Sequence, residues 1–206
     1  MTPPVKPEWI APDRTALVLI DCQVDFGAPE GVMAQSGADI APAQAALARA
    51  RALIDAARGA KVAVVFVRLV TRPGAESRVA REAKMRHGGE GPELCLLGTP
   101  GAAFTGVAPL PGEMVVSKAK FSAFAGTGFA DALRARAIDT LVLAGLTTEC
   151  CVASSAWAGF EHDFHIFIAE DACAAYAPDL HAGALEALKR SGAFVAPAGE
   201  FIRLWK

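Results

Sequence analysis

Three side chains that can do chemistry together are spread along the sequence, each near the end of an apolar run. Asp21 follows TALVLI, Lys118 follows EMVVS, and Cys151 comes shortly after DTLVLAG. A thiolate can attack a carbonyl carbon, and a carboxylate can take the thiol proton and return it to a leaving amine. An ammonium group nearby stabilises both anions. If the three side chains meet, they predict acyl transfer through a cysteine nucleophile, without a histidine.

The cysteine lies in residues 139–157, DTLVLAGLTTECCVASSAW, whose pattern predicts a strand, a turn and the start of a helix. Gly145 ends the apolar run, and the hydroxyls of Thr147 and Thr148 can cap the helix. Cys151 then falls in the first helical turn, where the backbone dipole lowers a thiol pKa and free amides can hold an oxyanion. The alternative is a packing role, because free cysteine is often a buried small hydrophobe.

The elements that must position these residues alternate along the chain. Apolar runs predict strands at 15–22, 61–70, 113–124, 139–144, 164–171 and 193–198, and helical spacing predicts helices at 39–58, 129–136 and 178–191. Buried strands that alternate with helices predict an α/β fold, with three α/β/α layers around a roughly six-stranded, mainly parallel, Rossmann-like sheet. The carboxyl ends of parallel strands share one edge, so the three reactive side chains can converge there.

Composition limits the classes of protein that the chain can belong to. The 206 residues fit a single domain, 1–206, with 53% hydrophobic residues and a net charge of −2. That charge gives no basic face for nucleic acid, and no apolar run reaches the roughly 18 residues that cross a membrane. The lead, residues 1–14, has no apolar core like that of a signal peptide. We therefore expect a cytoplasmic protein with a small-molecule substrate.

Two irregular segments are the expected sites of substrate specificity. Residues 71–112 are rich in glycine, proline and basic side chains. They form a solvated helix face, a lid, a subunit interface or a clamp for an acidic substrate. In the loop 23–38, Phe26 either packs on the core or lines the pocket. We predict Phe26, Phe124 and Thr148 as substrate-binding residues.

The three motifs together resemble a known family. VLIDCQVDF, SKAKFSAF and AGLTTECCV are similar, in order and spacing, to the motifs of the isochorismatase-like cysteine hydrolases, over about residues 15–195. The resemblance implies that Asp21 is the general base, Lys118 the supporting cation and Cys151 the nucleophile.

The resemblance also implies two features that the residues alone do not. The peptide bond between Leu146 and Thr147 would be cis, and the backbone N–H groups of Thr147 and Cys151 would form an oxyanion hole. The protein would also be a homo-oligomer, a dimer or a tetramer.

Departures from the family pattern narrow the expected reaction. The place of the DxH…H metal motif of nicotinamidases holds RLVTRPGAES, residues 68–77, so we expect neither a metal nor a cofactor. Isochorismatases that cleave a vinyl ether lack the cysteine, so Cys151 favours hydrolysis of a C–N bond. Glu149 stands where many relatives have Asn or Asp, as in several that act on carbamoyl or ureide compounds.

The predicted function is therefore hydrolysis of a C–N bond in a small amide, carbamoyl or ureide substrate through a thioester. Three alternatives remain open: hydrolysis of a vinyl ether, a redox role for the neighbouring thiols of Cys150 and Cys151, and a non-catalytic scaffold. The five cysteines are an odd number without CxxC spacing, which argues against a disulfide framework.

Overall fold

The fold is a parallel sheet, described here from a computed structural model that covers residues 3–86, 88–89 and 93–206. Its strands are β1 (Thr15–Ile20), β2 (Ala63–Leu69), β3 (Met114–Lys118), β4 (Thr140–Leu146), β5 (His165–Ala174) and β6 (Phe194–Ala196). They form one six-stranded sheet in the order β3-β2-β1-β4-β5-β6, and every neighbouring pair is parallel. This is the strand order of doubly wound Rossmann-type sheets.

Helices cover both faces of the sheet. Their bounds are α1 (Val24–Gly27), α2 (Val32–Gln35), α3 (Ala41–Gly59), α4 (Arg78–Arg86), α5 (Phe129–Arg134), α6 (Ala153–Glu161), α7 (Pro178–Arg190) and α8 (Ala198–Leu204). Helices α5, α6 and α7 pack on the face that carries Val18 and Ile20. Helices α3 and α8 pack on the opposite face, with Leu17 and Leu19. The predicted three-layer α/β/α fold with a Rossmann-like sheet is therefore confirmed.

After an initial threonine, both central strands are apolar because neither face of the sheet is open to water. All residues of β1 and β4 are buried, as expected for parallel strands covered on both sides. They pair from Thr15 with Thr140 to Ile20 with Gly145. The chain order reverses between these two strands, and a crevice forms outside their carboxyl ends.

Several predicted strand ends differ from those in the structure, and the ends of β4 and β3 bear on the site. Strand β5 also continues to Ala174, beyond the predicted end at 171. Strand β4 does not stop before Gly145 but continues to Leu146, because Gly145 adopts a φ of 123° within the strand. An added Cβ there would lie 2.0 Å from the Ile20 carbonyl oxygen, so only glycine fits. Strand β3 ends at Lys118, before the predicted end at 124, and turns follow it.

The segment 71–112 is only partly regular. Helix α4 within it has no buried residue, which agrees with a solvated basic face. The later part folds back on the loop after β1, where the Cys95 N–H donates to Asp25 Oδ2 over 2.6 Å and Gln23 pairs with Phe104. His87 and residues 90–92 of this segment lie outside the described residues. A role as lid or interface stays a prediction.

None of the helices in the described part of the chain is both long enough and apolar enough to span a bilayer.

Candidate active site

The structure brings the three predicted reactive side chains together at the carboxyl edge of the sheet. The Lys118 ammonium lies between the other two: its Nζ donates to Asp21 Oδ2 over 2.7 Å and to Cys151 Sγ over 3.3 Å. It also donates to the backbone carbonyl of Lys120 over 3.1 Å. Asp21 follows β1, Lys118 ends β3, and Cys151 follows β4, so the ammonium reaches across the end of β2.

The three groups are almost completely withdrawn from water. Asp21 is 0% exposed, Lys118 2% and Cys151 6%. The second carboxylate oxygen of Asp21, Oδ1, is buried and has no hydrogen-bond partner in the described part of the chain. A buried acceptor without a donor costs free energy, which is why such atoms often mark sites of function. Oδ1 can thus accept a proton without first breaking a hydrogen bond.

Asp21 is held at the carboxyl edge of the sheet by a backbone with a positive φ. Its φ is 51°, in the left-handed region that aspartate tolerates better than most residues. Its N–H donates to the Val67 carbonyl over 2.9 Å, and its own carbonyl accepts from the Gln23 N–H over 2.8 Å. The turn therefore takes the carboxylate out of the strand direction and into the crevice.

Burial and charge act in opposite directions on the ion pair. Burial raises the pKa of Asp21 above its usual range, and the charge of Lys118 opposes this. For Lys118 burial acts to lower the pKa, but the neighbouring Asp21 and Cys151 outweigh it and the pKa is raised. The result is a fixed ammonium beside a carboxylate that takes up a proton more readily than an exposed aspartate.

The thiol itself differs from the sequence expectation. A hydrogen bond with Cys150 and burial raise the pKa of Cys151 above that of an ordinary thiol, although the charge of Lys118 acts to lower it. The predicted lowering by a helix dipole is wrong, because the sulfur is buried among neighbours rather than exposed at a helix start. Cys151 therefore rests as a thiol and needs a base to remove its proton.

The backbone before the thiol is also different from a capped α-helix. The Leu146–Thr147 peptide bond is cis, as the resemblance implied. A π-helical turn, Thr148–Val152, then precedes α6, and the Thr147 carbonyl accepts from the N–H groups of Cys150 and Val152. No threonine side chain caps it. Among the described residues, the Thr147 N–H has no hydrogen-bond acceptor, which leaves it available to a ligand.

Sequence reasoning missed three polar side chains at this edge of the sheet, those of His181, Tyr176 and Gln23. Thr148 is fully buried, and its Oγ1 lies 2.8 Å from His181 Nδ1 on α7. Tyr176 donates from its hydroxyl to the Phe26 carbonyl over 2.8 Å. The buried Gln23 side chain bonds the carbonyls of Leu69 and Ala102 and the Leu69 N–H, tying β2 to the loop above it. Their only sequence signal was position near strand ends.

Phe26 and Phe124, two of the three predicted substrate-binding residues, lie in the hydrophobic core. Phe26 is 7% exposed and packs in a small apolar cluster with Leu146. Phe124 is 8% exposed, and its ring contacts those of Phe129 and Phe164. Substrate contact by Phe26, Phe124 and Thr148 stays a prediction.

The cysteines and acidic residues give no sign of a metal centre in the regions described. Cys150 and Cys151, like the other three cysteines, are free thiols. In residues 3–86, 88–89 and 93–206, no three His, Cys, Asp or Glu side chains are grouped closely enough to hold a metal ion.

This sheet and this buried trio define a class of α/β proteins with a cysteine at the carboxyl edge of a parallel sheet. The family model for the Isochorismatase domain matches residues 15–200, and the chain belongs to that family. The resemblance found in the three sequence motifs is thus confirmed at the level of the family.

Several relatives carry names that specify a reaction. The sequence is 31% identical to the ureidoacrylate amidohydrolase RutB of Azorhizobium caulinodans, with 82% of this chain and 81% of that protein covered. An isochorismatase family protein from Desulfovibrio vulgaris has a similar structure, with a TM-score of 0.78 and 31% identity over 90% of this chain and 95% of that one. N-carbamoylsarcosine amidase from Thermoplasma acidophilum has a TM-score of 0.70 and 26% identity, over 90% and 96% of the two chains.

Proposed function

We propose that this protein is a metal-independent cysteine amidohydrolase that cleaves a C–N bond of a small amide, carbamoyl or ureide compound. The observation that carries the proposal is the buried Lys118 ammonium, which contacts both Asp21 and Cys151 at the carboxyl edge of the sheet. The names of the relatives support this class of substrate, since both ureidoacrylate amidohydrolase and N-carbamoylsarcosine amidase act on carbamoyl nitrogen compounds.

In the first half of the reaction, Asp21 acts as the general base and Cys151 as the nucleophile. The thiol proton moves to the Asp21 carboxylate while the sulfur bonds to the carbonyl carbon. The carbonyl oxygen becomes an oxyanion, which the backbone N–H groups of Thr147 and Cys151 stabilise. The proton on Asp21 then passes to the substrate nitrogen and the C–N bond breaks. Ammonia or an amine departs, and a thioester remains on Cys151.

In the second half of the reaction, water attacks the thioester, and its oxygen takes the place of the substrate nitrogen on the carbonyl carbon. Asp21, ionised again, removes a proton from a water molecule as its oxygen bonds to the thioester carbon. The C–S bond breaks, the acid product forms, and the Cys151 sulfur regains a proton. Lys118 remains protonated throughout, and it stabilises the carboxylate and the sulfur anion in turn.

The raised pKa of Cys151 fits this division of labour. A thiol that rests protonated depends on its base, so the nucleophile forms only when Asp21 can take the proton. The raised pKa of Asp21 makes that transfer easier than it would be to an exposed carboxylate.

The test is ammonia release from a panel of amides, carbamates and ureides by the wild-type protein and by Cys151→Ala. We expect turnover of at least one carbamoyl or ureide compound, and its loss in the variant by a factor of about 10³ or more, because the nucleophile is gone. Cys150→Ala is the control that keeps the nucleophile: it should retain hydrolysis, with activity shifted toward lower pH, because the hydrogen bond that raises the pKa of Cys151 is lost. Substantial hydrolysis by Cys151→Ala, or none by the wild type on the whole panel, would contradict the proposal.

A further inference from the structure

Glu149 is a charged residue that the proposed reaction does not use, although it lies two positions before the nucleophile. It belongs to the π-helical turn Thr148–Val152 that presents Cys151. Its side chain is half-buried, and its Oε2 atom is buried without a hydrogen-bond partner among the described residues. Within the described part of the chain, neither of its oxygens receives a hydrogen bond or forms an ion pair.

An unsatisfied carboxylate oxygen in this position is costly to the folded protein, because a charged acceptor loses water without gaining a donor. A structural carboxylate in this chain does not show that pattern. Asp25, which is buried, accepts from the N–H groups of Cys95 and Val32. The Glu149 oxygen is thus better explained by a donor that arrives with a ligand.

The surroundings of Glu149 place its carboxylate beside the turn that carries Cys151, near Tyr176 and His181. His181 lies against this turn through its contact with Thr148. Tyr176 is a shared neighbour: burial raises its pKa first, and the charges of Glu149 and Cys151 both raise it further. The carboxylate therefore lies beside the turn from which Cys151 must meet a substrate.

We propose that Glu149 is a substrate-binding residue that accepts hydrogen bonds from the substrate, and that it selects compounds with a cationic or neutral donor group over those with a carboxylate. This inference rests on the proposed function and names the substrate class within it. A carboxylate facing a substrate carboxylate in a buried site is unfavourable by Coulomb repulsion, whereas an ammonium group is attracted.

The charge of the preferred substrate can be tested with three ureas of nearly equal length. These are 3-ureidopropylammonium, 3-ureidopropan-1-ol and 3-ureidopropionate, and kcat/KM is measured by ammonia release. We expect the wild type to prefer the cation and the alcohol over the anion. In Glu149→Gln, which keeps the size of the side chain, the ratio of cation to anion should fall by about tenfold or more, mainly through KM.

Two further variants separate a binding role from other effects. Glu149→Asp keeps the charge and should retain part of the preference. Glu161→Gln removes the same charge from an exposed position at the end of α6 and should leave the ratio unchanged. Calorimetric binding of the cation and the anion to Cys151→Ala, with and without Glu149→Gln, gives the same comparison without turnover.

The outcomes distinguish this inference from the function on which it rests. If the wild type hydrolyses the ureas but the ratio is the same in Glu149→Gln, the role of Glu149 is refuted and the hydrolase function stands. If the wild type hydrolyses no carbamoyl, ureide or amide compound, the function fails. Equal binding of cation and anion to Cys151→Ala would also overturn the role of Glu149.

Discussion

The central feature at the residue scale is a buried lysine that contacts both the carboxylate of Asp21 and the sulfur of Cys151. Lys118 and Asp21 are both 0% exposed in their side chains and lie 2.7 Å apart. A buried ion pair gives little net stability by itself, because two charges lose their water. Removing one partner is different, since it leaves the other charge uncompensated. The pair is therefore better explained by the chemistry at Cys151 than by stability.

Lys118→Met should raise the pKa of the Cys151 thiol and lower the stability of the fold. The ammonium acts to lower the pKa of Cys151, so its loss raises that pKa, and alkylation of Cys151 by iodoacetamide should shift to higher pH. The lone buried carboxylate should lower the free energy of unfolding by about 3–5 kcal/mol. Alkylation is followed by peptide mass spectrometry up to about pH 10, the upper end of ordinary thiol titration, where Cys151 of the variant should react more slowly than Cys151 of the wild type. Unfolding is followed by urea titration.

The exposed Lys61 offers a matched control. Lys61→Met removes the same charge and should alter neither the alkylation profile nor the stability by more than about 0.5 kcal/mol. An alkylation profile that is the same in Lys118→Met and in the wild type would count against an electrostatic role for Lys118.

At the element scale, the site depends on how closely β1 and β4 approach at their carboxyl ends. Asp21 and the turn that carries Cys151 leave the sheet from these neighbouring strands. Gly145 makes the approach possible, because its missing Cβ leaves room for the Ile20 carbonyl. The strand then continues one residue further to the cis bond that precedes Thr147.

Gly145→Ala should therefore disturb the fold and the site together. The added methyl group would meet backbone atoms at 2.0 Å, and a φ of 123° is strained for alanine. We expect the free energy of unfolding to fall by more than about 2 kcal/mol, with a loss of activity at temperatures where the variant is still folded. Thermal unfolding by circular dichroism and ammonia release measure the two effects.

Gly183 in α7 provides the comparison, because nothing lies within 4 Å of a Cβ added there. Gly183→Ala should be neutral or stabilise the protein by about 0.5–1 kcal/mol, since alanine favours a helix. A Gly145→Ala protein as stable and as active as Gly183→Ala would show that the close approach is unimportant.

At the scale of the whole molecule, one face carries large apolar side chains in water. Trp157 and Phe160 on α6 are 42% and 53% exposed, and Leu180 on α7 is 49% exposed. Helices α6 and α7 are in contact with each other. Exposed apolar patches often mark interfaces between proteins. Self-association stays a prediction, and we expect its contact surface to include these three exposed side chains.

Sedimentation velocity should show a dimer or a tetramer, and Trp157→Glu should shift the protein toward the monomer by placing a charge in an apolar contact. Lys189→Gln, at a partly exposed position on α7 outside these three residues, changes the net charge by the same single unit and is the control for the change of charge. A monomeric wild type at high micromolar concentration would contradict the predicted oligomer. Equal sedimentation of all three proteins would remove Trp157 from the interface.

The sequence by itself determined the layers and the reactive trio. Buried strands such as β1 and β4 are continuous apolar runs, and this pattern is local, so it can be read without the fold. The three motifs around Asp21, Lys118 and Cys151 gave the family for the same reason. The segment 71–112 has no period, and its structure could not be predicted in this way.

Only the tertiary structure decided which side chains meet. The strand order places β2 between Lys118 and Asp21, yet the long side chain spans it, and no local pattern encodes that distance. The raised pKa of Asp21 likewise depends on burial in the folded protein and on the distant Lys118. The strands could be predicted because their apolar pattern depends on residues adjacent in the chain. The contacts and pKa values of the site could not, because they depend on residues that are distant in the chain and close in space.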